Sequence, residues 1–347
     1  MGWSKIGSLL IGGVALLFMG CSPLGKPIDA GVSSNYFHER AGQGVLYCSQ
    51  GNWRSLGYHH VEGADRQTFR PLGPHVAVDQ HRAYFRQIPQ PHVDHESLQY
   101  QERVIRDKDH VYFEESGGLV TLEGADVESF RYLFPGDVNP FKWARDGNRY
   151  YINHKPIDVD VESFQFLNNG FVADRFKIYQ RDSGLRPVAE VTGPIEVLNP
   201  YHLQMGNQIL SGGTWGSRVL DFEEIEELRE VGEYVLVING TVYALGEPRP
   251  EVDAASLETW PGNHTYARDA ENVYYIFARM VLVEEADRES FEPMEGLGSY
   301  ARDAHRVYYG FQVLKDADLE TFEVVWEGDK YVARDKHGWF YMGFRRR

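Results

Sequence analysis

Cysteine is almost missing: 347 residues hold two, Cys21 and Cys48. Two cysteines cannot build a disulfide framework, and if Cys21 is acylated no internal bridge is possible. Long apolar runs are missing too. The stretch at residues 6–19 is too short to cross a bilayer as a helix. Basic charge is scarce, with 35 Lys and Arg against 51 Asp and Glu, a net charge of −16. That balance excludes a nucleic-acid partner, whose phosphates need a basic surface, and peripheral docking on anionic lipid. There is no P-loop, no G-x-S-x-G elbow, no H-E-x-x-H and no C-x-x-C pair. Histidines crowd the first half (His59, His60, His75, His81, His92, His95), but their spacing fits no standard metal site. They read as surface polar residues, and neither metal nor cofactor is expected. Aromatic residues, at 14%, are ample for a core, which excludes disorder.

What is abundant is repetition. A hexamer of the form A-D-x-E-S-F recurs at residues 64–69, 93–98, 125–130, 159–164, 286–291 and 317–322. Its Asp (Asp65, Asp94, Asp126, Asp160, Asp287, Asp318) suits an N-cap, accepting from the free N–H groups of a first turn. The small apolar residue before it and the Phe or Leu four after it are placed as a hydrophobic staple. Each copy therefore predicts a short helix. Two looser copies are capped by Asp221, with Glu224 closing a capping box, and by Ser256. A degenerate one with Gly193 as cap fills the wide gap between 160 and 221. The count is nine units.

The rest of each unit predicts a β-hairpin. An Asp precedes a β-branched or aromatic run by four or five residues: Asp79, Asp107, Asp146, Asp174, Asp269, Asp303 and Asp335. Asn239-Gly240 is a tight hairpin signal. Tyrosines recurring at one register read as interior ladders. Cys48, beside Tyr47, reads as a small buried hydrophobe, and Arg345, Arg346 and Arg347 as a solvated end. The expected fold is a β-rich α+β repeat protein, about nine hairpin-plus-short-helix units in an elongated solenoid-like array. A closed propeller is the alternative, disfavoured because each unit reads as one strand short of a blade.

The strings ARDGNRYY (144–151), ARDAENVYY (267–275) and ARDAHRVYY (301–309), each joined to an A-D-x-E-S-F-like hexamer, carry a resemblance. The chain resembles the DKNYY family of bacterial proteins from about residue 45 to 341, most weakly over 168–246. The resemblance implies repeats and no catalytic residues.

Residues 1–20 read as a signal segment, with Lys5 ahead of the apolar run. The run ends Leu17-Phe18-Met19-Gly20-Cys21, which resembles a bacterial lipobox with Cys21 as the lipidation site. Residues 21–44 read as the lipidated cysteine and a tether, and 45–347 as the repeat domain. The expected protein is a lipid-anchored envelope protein, in the outer membrane facing the periplasm or at the cell surface. It would act as a binding or spacer module for an envelope protein or glycan, with residues 168–246 as the contact region. The rival reading is an envelope glycan-modifying hydrolase using an acidic pair.

Overall fold

The computed structural model describes residues 22–134, 141–213, 216–277, 279–296, 298–328 and 330–346. Cys21 and the signal segment 1–20 lie outside them. Within these residues the chain forms ten separate four-stranded antiparallel sheets, each with its strands in simple sequential order. They occupy residues 24–60, 70–90, 99–121, 131–157, 165–190, 196–221, 228–248, 258–282, 292–313 and 323–346. The chain divides into two compact units, residues 1–158 with the first four sheets and 159–347 with the other six.

Several expectations change. Among the described residues each sheet has four strands, so no repeat is a strand short of a blade. The outermost strands leave little trace in the sequence because many are two residues long, such as Arg70–Pro71, Gln165–Phe166 and Glu292–Pro293. A two-residue strand has no periodicity to detect. The solenoid-like array is likewise replaced: every sheet keeps its hydrogen-bond ladder to itself. The count rises from nine to ten because the hexamers mark the connectors between sheets. Residues 22–44 are no tether. Leu24–Pro27 and Tyr36–Glu39 are the first two strands of the first sheet, with Tyr36 fully buried.

The hexamers are not helices. Thr68 N–H and Phe69 N–H both donate to the Asp65 carbonyl, at 3.2 and 2.9 Å, and the chain then enters the next strand. The same single turn closes at Asp126, Asp287 and Asp318. Cap and staple exist without the helix between them. Ala64 packs with buried Phe69, Ala125 with Phe130, Ala286 with Phe291 and Ala317 with Phe322. Among the described residues the helical elements are only Trp53–Leu56 and the 3-10 turn Ser49–Gly51.

Hydrophobic clusters are shared by consecutive sheets within each unit. Tyr36 and Val45 of the first sheet pack with Ala77 and Tyr84 of the second. Tyr266 and Val273 of the eighth pack with Ala301 and Tyr308 of the ninth. Stability is therefore expected as a sum of unit and neighbour terms. The tyrosines are core, as expected, with Tyr36, Tyr84, Tyr151, Tyr266 and Tyr308 fully buried. Cys48 is buried among Leu24, Phe37 and Leu46, and burial pushes its thiol pKa up.

Candidate functional site: a clasp at one end of the sheets, a pocket at the other

The recurring carboxylates meet at the joints between sheets. Asp79 sits in the turn between the second and third strands of its sheet, and all four of its hydrogen bonds are internal. Oδ1 accepts the N–H groups of His81 and Arg82; Oδ2 accepts the Tyr84 hydroxyl and the N–H of Asp65 in the preceding connector. Asp107, Asp146, Asp174, Asp269 and Asp303 repeat this. The connector N–H lies at 2.8–3.1 Å and the tyrosine five residues on at 2.5–3.0 Å. A second bond closes each clasp. The hexamer hydroxyl, Ser290 for instance, donates to Asp287 and accepts the N–H of Ala304 just past Asp303.

Burial alone would raise these carboxyl pKa values. The tyrosine hydroxyl and three N–H groups outweigh it and hold each below the usual carboxylate range. The tyrosines move the other way, raised by burial and by the facing carboxylate. In the last sheet Phe340 stands where the tyrosine would be. Arg345 replaces it, donating to both oxygens of Asp335 at 2.7 Å, so this arginine is no solvated end.

Three loose hexamers take other forms. The cap before the eighth sheet is Asp253, with its N–H on Asp269; Ser256 supplies the clasp hydroxyl. Asp221 ends a strand, Gly216–Asp221, and accepts from Gln208. Gly193 lies at a half-buried bend. Neither caps a helix. At the seventh sheet Asn239 does the joining: its Oδ1 accepts the N–H groups of Glu226 and Glu227, and its Nδ2 donates to the Glu224 carbonyl. Glu224 thus enters through its backbone, and no capping box forms.

The opposite ends of the second to fourth sheets form a pocket of about 350 Å³ within the first unit. That size is at the lower end of small-molecule sites, about 300–1,000 Å³. Its walls are rings: Tyr100, Tyr112, Phe113 and Tyr132, with His75 and His154. The His154 imidazole stacks on Phe113, centroids 4.3 Å apart, and its Nε2 is 3.1 Å from the Tyr132 hydroxyl. Burial, then the Lys142 charge, pulls its pKa down to about 4, so it is neutral at pH 7. His75 Nδ1 meets the Tyr47 hydroxyl at 2.9 Å and the Asn35 amide at 3.2 Å, and its pKa is also lowered by burial. This one histidine of the first-half cluster is a pocket wall; His59, His60, His81 and His92 are exposed. Among the described residues no three His, Cys, Asp or Glu side chains gather as a metal ion would need.

Three charges line the pocket: Arg103, Lys142 and Glu114. Arg103 and His154 occupy positions that favour glycine. The turns Glu102-Arg103 and Asn153-His154 have positive φ at both residues, 50° and 69°, then 50° and 64°. The turns Leu245-Gly246 and Met342-Gly343, which join third and fourth strands as Asn153-His154 does, have the same pair of positive φ values and place glycine second. A side chain in the left-handed region costs about 1–2 kcal/mol. Such strain gathers at functional sites. None of these residues stood out in the sequence. The readable signal was two-residue hairpin turns without glycine.

A family model described as the DKNYY family matches residues 143–343, and the chain belongs to that family. No curated protein and no solved structure matches it. Most of the pocket, from Pro74 to Lys142, lies before the matched residues.

Proposed function

We propose that the chain is a small-molecule-binding repeat protein of the bacterial cell envelope, held at the membrane by lipid on Cys21. The observation that carries the reading is the placing of Arg103 and His154. Both tolerate left-handed backbone where glycine would be strain-free, and both line one ring-walled pocket. Strain that does nothing for the turn is accounted for if the side chains serve a ligand. The lipobox-like Met19-Gly20-Cys21 supports the anchor. The glycan-hydrolase alternative loses support at its acids. A general acid needs a raised pKa, whereas Asp269 and its equivalents are held low with every oxygen engaged.

The test is native mass spectrometry of the lipidated protein, extracted from membranes in mild detergent. Wild type should carry a small-molecule mass excess that Arg103→Ala lacks. The same excess over the polypeptide mass in both proteins, or none in either, would overturn the binding reading. Cys21→Ala should abolish incorporation of labelled palmitate; unchanged labelling would overturn the anchor.

A further inference from the structure

The charges of the pocket are arranged by depth. Glu114 is half-buried on a strand among the rings, while Arg103 is exposed at a hairpin turn and Lys142 is exposed just before the strand Ala144–Arg145. Among the described residues none of the three side chains makes a hydrogen bond or an ion pair. The chain has no shortage of such pairs. Arg175 meets Asp160, Arg186 meets Asp182 and Arg345 meets Asp335. A half-buried carboxylate left without a partner is costly unless something else supplies the positive charge. Its surroundings suit an organic cation. Tyr100, Tyr132 and Phe113 line the same pocket, Phe113 stacked on His154, and such rings are the residue types from which aromatic cages for ammonium groups are built. Both imidazoles are neutral near pH 7, so they add no competing cation inside. At the mouth the sign reverses. Two unpaired cations stand on a chain whose net charge is −16. Arg103 offers the planar fork that pairs with a carboxylate, and Lys142 a second positive charge.

We infer that this pocket binds a small zwitterion of the amino-acid class, with its ammonium group on Glu114 among the rings and its carboxylate on Arg103 and Lys142. The inference rests on the binding reading above and sharpens it. A neutral sugar would leave all three charges unmatched. A sugar acid would satisfy the mouth and leave Glu114 unpaired. A simple polyamine would do the reverse.

The experiment is calorimetric titration of the full chain near neutral pH with the standard L-amino acids and glycine betaine. Glucuronate and putrescine serve as probes carrying one sign of charge only. At least one zwitterion should bind, and its carboxamide and, for an amino acid, its N-acetyl derivative should each bind at least about tenfold more weakly. Glu114→Gln, nearly isosteric, should remove the penalty for N-acetylation and keep the penalty for the carboxamide. Arg103→Ala combined with Lys142→Ala should do the opposite. Thermal melts of the variants separate lost recognition from lost folding. Binding of glucuronate or putrescine alone, or equal binding of the blocked analogues, overturns the zwitterion. If no probe binds while membrane-extracted protein still carries an Arg103-dependent mass, the ligand class is wrong and the binding reading stands. If neither is seen, both fall.

Discussion

The joint before the ninth sheet and the joint before the seventh do one task with different chemistry. At the ninth, Asp303 is buried and takes four donors, one of them the Tyr308 hydroxyl at 2.6 Å. At the seventh, Asn239 is exposed, makes three bonds to the connector backbone and has no tyrosine. The four-stranded sheets on either side are alike. The sequence motif therefore records how neighbours are fastened, and a sheet can keep its form while the motif drifts away. Sheets six and seven look degenerate because their fastening changed.

Acid should expose that difference most strongly, because it acts on every clasp together. Seven clasp carboxylates have folded pKa values below the ordinary 3.8. Their stabilisation is fully present above that value and lost as pH falls through the lower folded ones. The tyrosines facing them are raised above 10, so their share is present below pH 10 and lost as pH rises through the higher values. The sixth sheet has a different group. His202 is fully buried, Nδ1 on Asn199 at 2.9 Å, and burial lowers its pKa to about 4. Its share is present above the ordinary 6.5 and lost between 6.5 and 4. Hydrogen exchange should show the sixth sheet loosening between pH 6.5 and 4, and the ninth and tenth only below 3.8. Simultaneous loosening would break the contrast.

Single substitutions come next in size. Asp303→Ala leaves buried donors without an acceptor and should cost about 4 kcal/mol by denaturant unfolding. Tyr308→Phe removes one donor and should cost about 1–2 kcal/mol. Asn239→Ala, at the exposed joint, should cost about 1 kcal/mol. If Asn239→Ala matched Asp303→Ala, the two joints would be energetically one.

Much of the joint was legible in the sequence, and the reason is geometric. Asp65 and Asp79, or Asp287 and Asp303, recur because each must meet the other at hydrogen-bond distance. Such a bond fixes the residue type of the acceptor, while the separation along the chain ranges from 13 to 20 residues. The hexamer spells a helix start faithfully, but the next strand takes Phe69 into the core and ends the turn before a helix can grow. Ser256 misled because Asp253, three residues earlier, fits a cap equally well, and only the bond from Asp253 to Asp269 sets the register. The pocket was illegible for another reason. Its residues come from three sheets, and no one stretch of chain contains enough of them to form a motif.

The smallest effect tests the pocket most directly, because it sets strain against recognition at one residue. Arg103 has φ of 69°, and no other side chain hydrogen-bonds or ion-pairs with it among the described residues. Arg103→Gly removes the left-handed penalty, about 1–2 kcal/mol. Glycine's extra freedom in the unfolded chain returns about 0.5–1 kcal/mol of that gain. The variant should be more stable than the native chain by about 0.5 kcal/mol and bind the zwitterion at least about tenfold more weakly. Gly246 and Gly343 hold the second place of turns with the same pair of positive φ values, between third and fourth strands, so that backbone accepts glycine. A gain in stability with loss of binding would identify Arg103 as a side chain kept for its ligand. Loss of stability with binding intact would mean that the arginine serves the turn and not a ligand.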